Sequence, residues 1–181
     1  MTIAELLCAA YVMLALPNAD VACDNMHHVV DAAEKYEVEP SVMVSLIFIE
    51  SRFKPLAVSR DGACGLTQVL PRYAAKYYGG KVSCRDLFNP RLSIYKGTHI
   101  LGDHLKRYRG NYKRSLCSYN AGASRCRPGG VRNKGHRYAR RVVRLAKKLR
   151  RVMKEAEMRE IEMKEIEMRG YTDEDVPGCY E

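Results

Sequence analysis

The sequence predicts a mainly α domain of α+β type: a compact helical body, one small irregular or β-containing lobe, and a helical extension at the C-terminal end. Three observations carry this expectation. At least six segments repeat apolar residues at helical spacing. The stretch from Pro55 to Leu70 instead sets Asp61-Gly62 and Gly65 between short β-prone pieces. A length of 181 residues suits one compact domain plus a tail and leaves no room for a second catalytic domain.

Composition narrows the class further. A hydrophobic fraction of 46% is enough for a packed core, while 29% charged residues and no long uninterrupted apolar run argue against a polytopic membrane protein. The net charge of +10 favours polyanionic partners: nucleic acid, an anionic membrane surface and an anionic wall polymer all qualify.

Residues 1–22 admit two readings. The apolar run from Leu6 to Leu16, followed by Pro17, Asn18 and Ala19, has the form of a secretory signal with a small residue before a cut. Glu5 and the absence of Lys or Arg before the run weigh against it, and the alternative is an apolar helix packed on the domain. A lipid attachment at Cys23 is disfavoured by Asp20.

Loss of Cys8 with a signal leaves six of the seven cysteines: Cys23, Cys64, Cys84, Cys117, Cys126 and Cys179. Six permit about fifteen pairings, and the sequence selects none of them. Cys64 with Cys84, flanking the lobe, is the pair we favour, against reduced cysteines packed as small hydrophobes. No pair has the close spacing of a zinc site, so neither a metal nor a cofactor is expected.

The elements follow in order. Val29, Val30, Ala33 and Tyr36 share a helical face within Met26 to Tyr36, and Pro40 opens the next helix where a missing N–H costs nothing. From Val42 to Ile49 only Ser45 interrupts the apolar residues, as in a helix buried on most faces, and Glu50 ends the run. Pro71 starts a short helix that stops at Gly79-Gly80. Asn89-Pro90 caps a longer one with Ile94, Gly97, Leu101, Leu105 and Tyr108 on one face, ending at Gly110. A helix from Tyr112 ends at Gly122, and a link through Gly129-Gly130 follows.

The last helix begins near Gly135 and keeps Val142, Leu145, Leu149 and Val152 on one stripe. Arg132 to Lys154 otherwise form a cationic face fit for wall or membrane anions, or simply for solvent. Beyond Lys154 a five-residue repeat scatters Met and Ile around the helical wheel, while Glu155/Arg159, Glu160/Lys164 and Glu165/Arg169 are favourable i,i+4 pairs. We therefore expect a body over 23–153, and over 154–181 a solvated helical extension with a disordered end from Gly170.

Chemistry points to Glu50. Cleaving a glycosidic bond needs a carboxylic acid still protonated near neutral pH, and desolvation supplies one. Leu46, Ile47, Phe48, Ile49 and Phe53 surround Glu50 in sequence, so its ionisation is expected to move upward.

Ile49-Glu50-Ser51-Arg52-Phe53 with Pro55, Gly65-Leu66-Thr67-Gln68-Val69 with Pro71, Ser118-Tyr119-Asn120-Ala121-Gly122, and Tyr138 with Val142 resemble, in order and spacing, the motifs of the soluble lytic transglycosylase family. Asp86-Leu87-Phe88-Asn89-Pro90 resembles that family's link into its long helix. The resemblance spans roughly Val29 to Leu149. It implies a lysozyme-like fold and a peptidoglycan substrate, cleaved between N-acetylmuramic acid and N-acetylglucosamine with 1,6-anhydromuramic ends. It further implies Glu50 as acid and then base, Ser51, Gln68 and Tyr119 near the scissile sugars, Asn120 on the acetamido region and Tyr138 orienting Glu50. Gly65 and Gly122 read as backbone requirements. Such an enzyme is expected outside the cytoplasm, as a monomer, with phage lysis or a wall-penetrating machine as its setting.

Two alternatives stand beside this. A hydrolytic lysozyme of the same fold needs a second carboxylate, and Asp61 is the nearest candidate, although Asp61-Gly62 has turn chemistry. A non-catalytic basic module gripping the wall or nucleic acid would use the cationic helix, but no helix-turn-helix and no interleaved aromatics favour nucleic acid.

Overall fold

In the computed structural model, residues 1–78, 80–127 and 133–170 are described. Among them run nine α-helices: α1 (Ile3–Met13), α2 (Ala19–Asp24), α3 (Met26–Lys35), α4 (Pro40–Ser51), α5 (Pro71–Tyr78), α6 (Cys84–Leu87), α7 (Pro90–Arg107), α8 (Tyr112–Ala121) and α9 (Lys134–Gly170), with a 3-10 turn at Ala123–Arg125. The mainly helical expectation holds.

The body is built around α4. Its residues from Ser41 to Ile47 are all buried, and the hydroxyl of Ser45 is satisfied inside the helix by the Ser41 carbonyl at 2.7 Å. Helices α3 and α9 flank it, α7 packs on α3 and α8, and α9 also packs along α8 and α1. The buried face of α9 runs through the adjacent pair Tyr138 and Ala139 and then Val142, Ala146, Leu149 and Val152, spaced three or four positions apart.

Residues 1–22 form part of this body. Thr2 and Glu5 make a reciprocal capping box that starts α1. Leu7 and Tyr11 are fully buried, and the Tyr11 hydroxyl donates to the Pro17 carbonyl at 2.8 Å. Of the two readings of this segment, the packed apolar helix is the one the fold displays. The expected cysteine set needs correction accordingly. Cys8 pairs with Cys23, Cys64 with Cys84 and Cys117 with Cys126, while Cys179 lies outside the described residues. The favoured Cys64–Cys84 pair is present.

The lobe between α4 and α5 is irregular, with only isolated antiparallel bridges joining Val58 to Cys64 and Cys64 to Val69. Two glycines let it settle on α6 and α7. Gly65 has φ +76°, and a Cβ there would collide with the Leu87 carbonyl; a Cβ on Gly97 would collide with Thr67. Thr67 in turn is bonded to Ser93 of α7 through its hydroxyl at 2.7 Å. A small second cluster of Cys64, Val69, Ala74, Leu87 and Ile100 fills the space beneath.

Helix α9 continues past residue 154 without a break, with Met158, Ile161, Met163, Ile166 and Met168 exposed, as the scattered repeat requires. The amino terminus of Met1 pairs with Glu160 at 2.8 Å. Arg132, the Gly129-Gly130 link, Gly79 and the expected disordered end over 171–181 lie outside the described residues. No described helix is long and apolar enough to cross a membrane.

Candidate active site

Glu50 sits in the last turn of α4, where the chain must stop and turn away. Arg52 and Phe53 both take left-handed φ, +53° and +57°, which ends the helix. Phe53 is fully buried edge-on to Tyr11, and Asn18 donates to the Arg52 carbonyl at 2.7 Å, so the unusual backbone is held from both sides. The first helix thereby braces the end of the helix that carries the acid.

A cleft of about 630 Å³ opens beside Glu50. The lobe contributes Ser59, Asp61 and Gln68, the end of α8 contributes Tyr119 and Asn120, and α7 contributes Ile100 and His104. The cleft thus lies between the lobe and the helices bearing Glu50 and Asn120.

Burial raises the Glu50 pKa from its ordinary 4.5 to about 7. The buried Tyr138 hydroxyl has no partner in regular hydrogen-bond geometry, yet it lies close enough to the carboxyl to favour the charged form and offset part of that rise. Desolvation dominates, so the protonated form of Glu50 persists towards neutral pH. Tyr119 and Tyr138 are pushed well above the usual phenol range by burial and then by the Glu50 charge, so both remain neutral donors.

The other expected residues divide. Gln68, at φ +52°, donates its amide to the Ala57 and Gly65 carbonyls at 3.0 and 2.9 Å, which fixes the lobe while the side chain lines the cleft. Tyr119 donates to the Thr67 carbonyl at 2.8 Å and so ties α8 to the lobe across the cleft floor. Asn120 is exposed at the cleft wall, and Gly122 has φ +82° just beyond it. Tyr138 stands behind Glu50. Ser51 does not face the cleft: it is buried, and its hydroxyl donates to the Leu66 carbonyl at 2.8 Å, fastening α4 to the lobe.

Several lining residues escaped the sequence reading. His104 falls beside the buried stripe of α7, and burial followed by the Arg107 charge holds its imidazole below the usual range, with Asp103 opposing. Tyr73 and Arg125 also line the cleft. Arg125 is anchored by a bond to the Ala121 carbonyl at 3.2 Å and sits next to the Cys117–Cys126 bridge. Asp61 lines the cleft from its turn, so the turn role and a place at the site coexist. No group of His, Cys, Asp and Glu fit to hold a metal occurs among the described residues.

Comparison with known proteins bears on the family and the fold. The profile of the family described as "Transglycosylase SLT domain" matches residues 28–140. The membrane-bound lytic murein transglycosylase C of Actinobacillus pleuropneumoniae serotype 5b is 39% identical over 75 residues, covering 38% of this chain and 20% of that protein. Its Yersinia enterocolitica counterpart is 35% identical over 105 residues, covering 51% of this chain and 29% of that protein. The chain thus matches less than a third of the length of these relatives. Among solved structures, the 70-kDa soluble lytic transglycosylase of Escherichia coli superposes with a TM-score of 0.61 at 24% identity, covering 75% of this chain and 27% of that one. An inactive mutant of the lytic transglycosylase Slt from Pseudomonas aeruginosa gives 0.59 at 23%, covering 66% and 23%. At these identities the superpositions establish the fold.

Proposed function

The chain belongs to the transglycosylase SLT domain family, and we propose that it is a peptidoglycan lytic transglycosylase acting on the bond between N-acetylmuramic acid and N-acetylglucosamine. The observation that carries this reading is one carboxyl, Glu50, desolvated at the wall of a cleft and ionising at about 7. Protonated, it gives its hydrogen to the departing sugar oxygen; as carboxylate, it then accepts the hydrogen of the muramic sugar's own carbon-six hydroxyl while that oxygen attacks the anomeric carbon. One bond breaks, an internal one forms, and a 1,6-anhydro end results with no water consumed. No second carboxylate is needed. Gln68, Tyr119 and Asn120 are the residues we assign to the sugars, and Tyr138 to the carboxyl. Ser51 acts through the lobe it fastens.

This activity requires a substrate outside the cytoplasm, and an extracytoplasmic site of action is part of the proposal. The exposed Arg137, Arg140, Arg141, Arg144, Lys147 and Lys148 of α9 support contact with an anionic wall or membrane surface. We propose a monomer, because the cleft is assembled within one chain.

Clearing of peptidoglycan suspensions by the wild type and none by Glu50→Gln is the expected result; equal clearing by the variant removes Glu50 from the mechanism. The position of Asp61 on the cleft favours a second reading, hydrolysis by two carboxylates. Asp61→Asn separates the two, since it abolishes a two-carboxylate hydrolase and leaves a transglycosylase turning over.

A further inference from the structure

A second cavity, of about 790 Å³, lies between α3, α6 and the start of α7, and shares no lining residue with the glycan cleft. Its walls carry Lys35, Arg85, Arg91 and Lys96 against a single acid, Asp86, so three positive charges are in excess among its lining side chains. That acid is already engaged: one oxygen accepts from the Ser83 amide at 2.8 Å and the Ser83 hydroxyl at 2.7 Å, closing the cap of α6.

Lys35, Arg85 and Arg91 are exposed at the cavity mouth, and two of them lie against aromatic rings. The Lys35 ammonium lies 5.6 Å from the Tyr36 ring centroid and 6.0 Å from that of Tyr95, and the Arg91 guanidinium lies 5.8 Å from the Tyr95 ring. Lys96 is only 7% exposed, so burial disfavours its charged form. The 18-residue α7 begins at this cavity, and its first turn adds the positive end of a helix dipole. Aromatic faces thus border Lys35 and Arg91 on one wall of the cavity.

We propose that this cavity is a binding site for a phosphate-bearing ligand, a phosphomonoester or diphosphate, clamped by Arg85, Arg91, Lys35 and Lys96. Two or three closely spaced negative charges match the excess, which a single carboxylate does not. Two guanidinium forks suit a phosphate, each donating two parallel N–H groups to two of its oxygens. The site works independently of glycan cleavage, so its fate does not decide that of the proposed activity.

The test is titration of the full chain with pyrophosphate, followed by calorimetry and by backbone amide shifts. Saturable binding is expected, with the largest shifts at Arg85, Arg91 and Lys96. Arg91→Gln and Arg85→Gln, both on exposed residues and therefore compatible with folding, are each expected to weaken it about tenfold. Glu50→Gln, and Arg140→Gln on the cationic face of α9, are expected to leave it unchanged. Three results overturn the assignment: binding that does not saturate, equal weakening by Arg140→Gln, or equally tight binding of citrate at matched ionic strength.

Discussion

Replacing Glu50 by Gln is expected to stabilise the protein, and to do so only as the pH rises. A carboxyl that ionises at 4.5 when solvated and at about 7 in the fold binds its proton more tightly in the native state. Its contribution is therefore fully present below about pH 4, declines as the pH passes through the native value, and is gone above about pH 8, a total of ~3 kcal/mol. Gln has nearly the same shape and never ionises. The stability gap between variant and wild type should thus widen by about 3 kcal/mol in favour of Gln across that range, most of it between about pH 5 and pH 7. Urea unfolding of both proteins at several pH values, disulfides intact, measures it: with a slope of about 1 to 3 kcal/mol per molar, the midpoints separate by roughly one to three molar. Every other titrating group is common to the two chains and cancels. A gap that stays flat from about pH 4 to pH 8 refutes the claim that the fold desolvates this carboxyl.

Other perturbations follow from the same geometry. Tyr138→Phe removes the hydroxyl that favours the charged Glu50, so the alkaline limb of the activity profile, where the acid loses its proton, should move to higher pH; a limb that stays or falls contradicts the contact. Gly65→Ala forces a Cβ into the Leu87 carbonyl at a left-handed φ, and we expect a loss of about 3 kcal/mol in unfolding experiments, with activity falling as the lobe shifts. Replacing Cys64 and Cys84 by Ser opens a 20-residue loop, expected to cost ~3 kcal/mol by denaturant unfolding.

Much of the site was legible in the sequence because its signals are local. The apolar run before Glu50 announces a buried helix whether or not its partners are known, and burial is what moves the carboxyl. Asn89-Pro90 and Tyr112 to Gly122 likewise carry their boundaries in their own caps and stops. Other features depend on distant partners. Residues 1–22 have the composition of a segment bound for apolar surroundings, and composition does not say whether these are a membrane or Phe48, Phe53 and α9. The pairing of Cys8 with Cys23 belongs to that same packing. The Ser51 hydroxyl turns inward because the Leu66 carbonyl waits fifteen residues ahead, which no spacing reveals. His104 lies on the flank of the α7 stripe, where a polar residue reads as solvated; only the folding of α8 and the lobe over that flank makes it a cleft residue. Helix α9 runs unbroken past Lys154, where Glu160 forms its expected pair with Lys164 while Glu155 pairs with Arg151 instead of Arg159.

The most direct test of the central claim is mass spectrometry of the soluble muropeptides that the full chain releases from purified peptidoglycan, beside those from Glu50→Gln. A lone acid that serves in turn as donor and acceptor predicts 1,6-anhydromuramic ends from the wild type and no products from the variant. Reducing ends in place of anhydro ends, or the same products from both proteins, would contradict it.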